Sequence, residues 1–188
     1  MNYFQFPISF GSILVHWSSQ GLLSQVEWSQ HPFASCQNKV KLPQCLQSIV
    51  DQITVFFYRG QPIVQIPWSQ IDQSGWSEFQ KEVYLWTSRV PHGETRTYGW
   101  LAAQVGKKSA FRAVGQALRK NPLPILIPCH RILSVTSMGG FMGVIDPLQP
   151  ELQLKWRLLQ LEEEYRSPFF PFMASSILEM RQRQVDSV

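Results

Sequence analysis

Residues 95–122 carry the pattern that most restricts the fold. In TRTYGWLAAQVGKKSAFRAVGQALRKNP, two short helical stretches flank a glycine-bearing turn. Thr97 is placed to cap the first, Tyr98 to Val105, which Gly106 ends. Ser109 is placed to cap the second, which runs to Lys120 and stops before Asn121-Pro122. Two short helices joined this way make a helix-turn-helix, a unit that must bury its apolar stripes against other elements of the same domain. On the second helix Phe111, Val114 and Leu118 form the stripe expected to pack inward. Ala110, Ala113 and Ala117 form a second stripe of methyl groups, and Arg112, Gln116 and Arg119 a polar face. Small side chains on a basic helix let its backbone approach a flat partner closely; alanine is also simply a good helix former.

Upstream, GSILVHW and ITVFFY are β-rich, RGQP is a turn, and IVQIPW alternates, so short strands are expected around a weakly patterned helix over Leu42–Ile53. The composition shifts near Ser74-Gly75, and a stronger helix follows in SEFQKEVYLWTSRV, with Ser77 as cap and Phe79, Val83 and Trp86 at helical spacing. A domain boundary is therefore expected between Gln70 and Gly75.

Charge follows the same division. Residues 1–75 are balanced, residues 132–188 carry a net −2, and residues 76–131 carry nine basic side chains against three acidic, a net +6. A polyanion would be drawn to the middle segment, although a solvated basic face without a ligand has the same signature. No apolar run approaches the roughly 18 residues of a membrane span. The N-terminal stretch lacks the basic region of a signal peptide. Cys36, Cys45 and Cys129 form no CxxC pair, as expected of free thiols in a reducing compartment.

The chemistry-bearing segment is LPILIPCHRIL, where an apolar run ends on Cys129, His130 and Arg131. A metal site would need further ligands at recognisable spacing, and His31, Cys36 and Cys45 do not supply it. A packed thiol and a nucleophile beside its base both remain, because free cysteine is often buried and an adjacent imidazole or guanidinium favours thiolate.

NPLPILIPCHRIL closely resembles the active-site segment of the O6-alkylguanine-DNA alkyltransferases, whose signature is Pro-Cys-His-Arg-Val/Ile. The resemblance runs from about Phe79 to Glu162 and takes in GETRTYGWLA, RAVGQALRKNP, IPCHRI, MGGF and KWRLLQLEE in the family's order. It implies an α+β chain: a small N-terminal α/β, ribonuclease-like domain with an antiparallel sheet (residues 1–73), then a mainly helical winged helix-turn-helix domain carrying the active site (74–166). A C-terminal extension (167–188) follows, expected to pack through Phe169, Phe170 and Phe172.

The resemblance also implies roles. Cys129 would take the alkyl group from O6 of guanine, and also from O4 of thymine. His130 would accept the thiol proton through a water, and Glu162 would orient the histidine. Tyr98 would serve guanine N3 as the base departs. Leu118, Asn121, Pro124, Ile132, Met138 and Gly139 match pocket positions, with Asn121 bracing the helix-turn-helix against the active-site strand. Main-chain groups of Cys129 and Ile132 would bind the guanine edge, and the Met138 amide would reach O6. Arg112 would fill the space left by a flipped base, with Ala110, Ala113, Gly115, Gln116 and Arg119 also facing DNA in the minor groove. The expected partner is double-stranded DNA containing O6-alkylguanine, bound by a cytoplasmic monomer, nucleoid-associated if bacterial, with no metal, cofactor or membrane. A thioether cannot be hydrolysed as a thioester can, so each chain would react once. A damage-binding protein that transfers nothing, a transcription regulator and a cysteine hydrolase are the competing readings. Gln116 replaces a glycine or alanine common in the family, and Met138 a serine or leucine; both departures bear on groove fit and alkyl size.

Overall fold

The computed structural model describes residues 2–31, 41–146 and 148–166. Cys36 and the expected C-terminal extension with Phe169, Phe170 and Phe172 lie outside them. Two compact units are present. The first takes the described residues up to Trp76 together with Pro122–Leu126; the second takes Ser77–Asn121 and the described residues from Ile127 on. A single cut after residue 73 therefore differs from this division, in which the chain returns to the first unit for five residues.

In the first unit β1 (Asn2–Ile8), β2 (Gly11–Trp17) and β3 (Leu23–Ser29) form an antiparallel sheet in the order β1-β2-β3. Pro7 lies opposite Ser12 on β1, an edge strand, where the missing N–H leaves no inner ladder broken. Alternation along β2 buries Ile13, Val15 and Trp17. Helix α1 (Gln44–Arg59) contributes Leu46, Ile49, Val50, Ile53, Phe56 and Phe57 to this core. Each such side chain contributes on the order of 1.5–3 kcal/mol of burial. ITVFFY, expected as a strand, is the second half of α1: Ile53, Phe56 and Phe57 are spaced for one helical face, and Gly60 ends the helix in a left-handed conformation. IVQIPW is not a strand either, and a single 3-10 turn, Trp68–Gln70, begins on its last residue. Pro122–Leu126 joins this unit through the Val26 N–H, which donates to the Pro122 carbonyl at 2.8 Å.

The second unit begins with α2 (Glu78–Ser88), started by a capping box between Ser77 and Gln80. Its buried side chains are Val83, Tyr84 and Thr87; of the expected Phe79, Val83 and Trp86, Val83 is buried and the other two are half-buried. The two-residue strand β4 (Arg96–Thr97) leads into α3 (Tyr98–Gln104), whose N-cap Thr97 accepts from the Trp100 N–H at 3.1 Å. Helix α4 (Phe111–Arg119) buries Val114, Ala117 and Leu118. Three sequence expectations fail here. Ala110, not Ser109, is the N-cap, and it makes no side-chain bond. Phe111 is 49% exposed. Ala117 packs inward, so the small stripe is reduced to Ala110 and Ala113. The Tyr84 hydroxyl donates to the Ala117 carbonyl at 3.0 Å, tying α2 to α4. Strand β5 (Ile132–Leu133) pairs parallel with β4, and α5 (Pro150–Arg166) closes the unit. No helix among the described residues is long and apolar enough to cross a membrane.

Candidate active site

Cys129 is presented by a tight backbone turn. Pro128, with φ −79° and ψ 63°, occupies the inverse γ-turn geometry that its ring favours, and the Cys129 N–H donates to the Ile127 carbonyl at 2.7 Å. The Arg131 N–H then donates to the Pro128 carbonyl at 2.9 Å, so Cys129–Arg131 form one 3-10 turn that runs into β5. The thiol is almost fully buried and forms part of the wall of a cavity of about 310 Å³. That volume is at the lower end of the range of small-molecule pockets. Tyr98 and the α4 residues Arg112, Gly115, Gln116, Leu118 and Arg119 make one side of the cavity, and Gly140–Ile145 the other. The latter is a two-residue hairpin: Phe141 and Val144 exchange N–H···O bonds of 2.9 Å around Met142 (φ 49°) and Gly143 (φ 87°). A Cβ on Gly143 would stand 3.1 Å from Nε of Arg119, so the hairpin lies directly against that arginine.

Behind the thiol is a fully buried acid–base pair. Nε2 of His130 is 2.8 Å from Oε1 of Glu162, and neither side chain is exposed to solvent. Arg131 donates from Nε to both Glu162 oxygens at 3.0 Å and from Nη2 to Oε1 at 2.8 Å. The Gly93 N–H adds a bond of 3.0 Å to Oε2. Burial alone would raise the Glu162 pKa, but the His130 and Arg131 contacts outweigh it and hold the carboxyl well below the usual carboxylate range. An ionised carboxylate only accepts hydrogen bonds, so Nε2 of His130 carries the proton and Nδ1 is the basic atom. Burial pushes the His130 pKa down, against the opposing pull of Glu162. The ring is thus neutral and able to accept a proton.

Two further residues act on the sulfur. Nδ2 of Asn121 donates to Sγ of Cys129 at 3.2 Å and to the Ile127 carbonyl at 2.9 Å. Burial raises the Cys129 pKa, while the Asn121 bond and the Lys155 charge favour the thiolate. Lys155 is wholly buried, and its Nζ donates to the carbonyls of Ile132 (2.8 Å), Met138 (2.5 Å) and Gly140 (3.2 Å). Its own pKa is pushed down to about 7 by burial, which a Cys129 thiolate opposes. The Tyr98 hydroxyl donates to the Gly140 carbonyl at 3.3 Å, and burial pushes its pKa up to about 12, so the phenol stays protonated. Gly139 makes room for the ring: at φ +66° it adopts a conformation side chains avoid, and a Cβ there would come within 2.8 Å of Tyr98 Cε2.

This arrangement has known counterparts. Residues 78–164 match the family model described as 6-O-methylguanine DNA methyltransferase, DNA binding domain. A methylated-DNA–protein-cysteine methyltransferase of Mycolicibacterium paratuberculosis is 36% identical over 116 residues, 61% of this chain and 68% of the relative. The constitutive enzyme of that name from Bacillus subtilis is 34% identical over 122 residues, 64% and 72% of the two chains. The chain belongs to the O6-methylguanine-DNA methyltransferase family. The Mycobacterium tuberculosis family member solved in complex with DNA superposes with a TM-score of 0.69 at 25% identity, covering 88% of this chain and 94% of that one. The antiparallel N-terminal sheet followed by a mainly helical domain is the fold of this methyltransferase family.

Of the residues that the family signature singles out, Asn121 is bonded to Cys129 and Glu162 to the adjacent His130, and Tyr98, Leu118, Arg112, Gly115, Gln116 and Arg119 line the cavity that contains the thiol. Ala113 is exposed and Ala110 half-buried at the start of the same helix. Glu162 is buried while Glu164 is exposed, which separates the functional carboxylate from a solvated helix end. Other expected pocket residues lie elsewhere. Pro124 is buried in the segment that belongs to the first unit. Met138 packs with Leu133, Leu159 and Trp156. Ile132 is wholly buried in β5; its N–H donates to the Cys129 carbonyl and its own carbonyl accepts from Lys155. Gly139 positions Tyr98. Arg131, expected only as a charge beside the thiol, instead pairs with Glu162, and Lys155, Gly93 and the Phe141–Ile145 hairpin have no local signal in the sequence, since nothing there marks a buried lysine or a partner found dozens of residues away.

Proposed function

We propose that this chain repairs DNA by direct reversal, transferring a methyl or other alkyl group from O6 of guanine, and from O4 of thymine, in duplex DNA to Cys129. The alkylated base leaves the stack and enters the cavity beside the thiol, and Arg112 fills the vacated space while α4 faces the minor groove. The Cys129 proton passes through a bridging water to Nδ1 of His130. The sulfur then forms its bond to the alkyl carbon as the bond from that carbon to O6 breaks. Negative charge moves onto the guanine ring, and the Tyr98 phenol turns from Gly140 to donate to N3. The imidazolium that forms is held by Glu162, whose charge Arg131 fixes in place. The product is a thioether, which water does not cleave, so one chain removes one alkyl group.

The observation that carries this reading is the buried Cys129 thiol in the wall of an open cavity lined by a basic helix, with Asn121 bonded to its sulfur and the adjacent His130 paired with Glu162. A Cys129→Ala variant tests it with duplex bearing a labelled O6-methyl group. Lesion binding is expected to persist while label transfer to protein disappears. Label still reaching the variant would assign the acceptor to another residue.

A further inference from the structure

The turn between α2 and β4 holds the buried Arg131–Glu162 pair at three positions. The Val90 carbonyl accepts from Nη1 of Arg131 at 2.7 Å, and the Gly93 N–H donates to Oε2 of Glu162 at 3.0 Å. Between these two residues, His92 brings Nδ1 to 3.3 Å from Nη2 of Arg131 and 3.6 Å from Oε1 of Glu162. A guanidinium only donates, so Nδ1 is the acceptor and the imidazole is neutral, with its proton on Nε2. The same Nη2 donates to Oε1 of Glu162 at 2.8 Å, so its two hydrogens serve the carboxylate and the imidazole. The Tyr165 ring meets the His92 ring edge-on, with centroids 5.7 Å apart. A carbonyl and a neutral imidazole take up the outer hydrogens of Arg131 without cancelling its charge, which is left directed at Glu162.

We propose that His92 is a positioning residue for alkyl transfer: by accepting from Nη2 it holds the Arg131 guanidinium on Glu162, and so sets how strongly that carboxylate pulls on His130. The inference rests on the function proposed above. His92 touches neither the thiol nor the cavity, and it acts through a chain of contacts from Arg131 to Glu162 to His130. The charged groups that act on His130 are Glu162, which raises its pKa, and Arg131 and Lys155, which lower it. Those that face His92 are Arg131 and Glu162, with the Tyr165 phenol on its other neighbour. Without an acceptor at position 92, one buried N–H of Arg131 loses its partner, and the guanidinium turns to find another. Glu162 is then less neutralised, its pull on His130 strengthens, and the imidazole protonates at a higher pH.

The test compares two variants of the full chain. His92→Phe keeps an aromatic ring against Tyr165 but removes the acceptor, whereas the side-chain carbonyl of His92→Gln can accept. Single-turnover transfer from duplex containing O6-methylguanine is followed across pH, together with lesion affinity and the titration of the His130 ring by nitrogen NMR. At a pH of about 8, above the ordinary imidazole pKa of about 6.5, His92→Phe should slow transfer about tenfold while lesion affinity stays unchanged. The acid limb of its rate and the His130 titration should both move to higher pH. His92→Gln should recover most of the lost rate and return both profiles toward wild type. A His92→Phe profile that coincides with wild type overturns the proposal. So do Phe and Gln variants that lose rate equally with the His130 titration in place, since the ring would then serve packing alone. A wild-type chain that binds the lesion but forms no adduct would remove the transfer function instead, and the His130 titration in the two variants would then decide the role of His92 by itself.

Discussion

At the scale of single residues, the site depends on keeping one carboxylate ionised inside the protein. Glu162 accepts three bonds from Arg131 and one from the Gly93 amide, so it stays charged where a lone carboxyl would protonate. Glu162→Gln leaves the buried Arg131 charge uncompensated and should cost about 3–5 kcal/mol of stability. It should also slow alkyl transfer by on the order of 10²–10⁴, because the imidazole loses the charge that orients it and steadies its protonated form. Chemical denaturation and single-turnover rates measure the two effects separately. The pH dependence follows from the same shifts. The folded Glu162 pKa lies below its unfolded value of about 4.3, so its stabilising contribution is complete above that pH and is lost as the pH falls through the lower folded value. A Glu162→Gln variant should lack that part of the acid transition. His130 is held below its ordinary pKa of about 6.5, so the acid limb of the transfer rate should lie below that pH rather than at it. At the sulfur, Asn121→Ala removes a side-chain donor to Sγ and should raise the Cys129 pKa measured by alkylation with iodoacetamide.

At the scale of elements, the segment after β5 is held by a buried lysine as well as by the packing of Met138 and Phe141. Lys155 projects from α5 and gathers the carbonyls of Ile132, Met138 and Gly140, fixing the stretch that carries Gly139 against Tyr98. Lys155→Met should leave these carbonyls unsatisfied, lower stability by roughly 1–3 kcal/mol and slow transfer through loss of the positive charge that favours the thiolate; thermal unfolding and the pH–rate profile check both parts. The elements differ in how far the sequence disclosed them. Ser77 and Thr97 announce α2 and α3 because caps are local chemistry. ITVFFY misleads because its β-branched and aromatic residues suit a strand equally well, and only packing against a sheet selects the helix. Phe111 misleads for a different reason: it is spaced to pack inward with Val114 and Leu118, but it is the first residue of α4 and stays half exposed there.

At the scale of the whole molecule, the basic residues of the middle segment have a consequence that no single contact carries. Lys107, Lys108, Arg112, Arg119 and Lys120 are all exposed on or beside α4. Binding to undamaged duplex should therefore weaken steeply with salt, and Lys120→Ala should make the slope of log affinity against log salt shallower by about one, as fluorescence anisotropy would report. The candidate cluster of Cys129, His130 and Glu162 was legible in the chain because Cys129 and His130 are adjacent and the family motif points to Glu162. Arg131 was visible as a residue but not as the partner of Glu162, because that contact exists only once α5 returns to the 3-10 turn. The return of Pro122–Leu126 to the first unit had no signal at all, since an apolar run reads the same wherever it packs. The central claim, one irreversible transfer to one named sulfur, is tested most directly by intact-protein mass spectrometry after incubation with excess duplex containing O6-methylguanine. The account predicts a gain of a single methylene's mass per chain, saturating at one and mapping to the Cys129 peptide. An unmodified chain that still binds the lesion, or an adduct on any other residue, would contradict it.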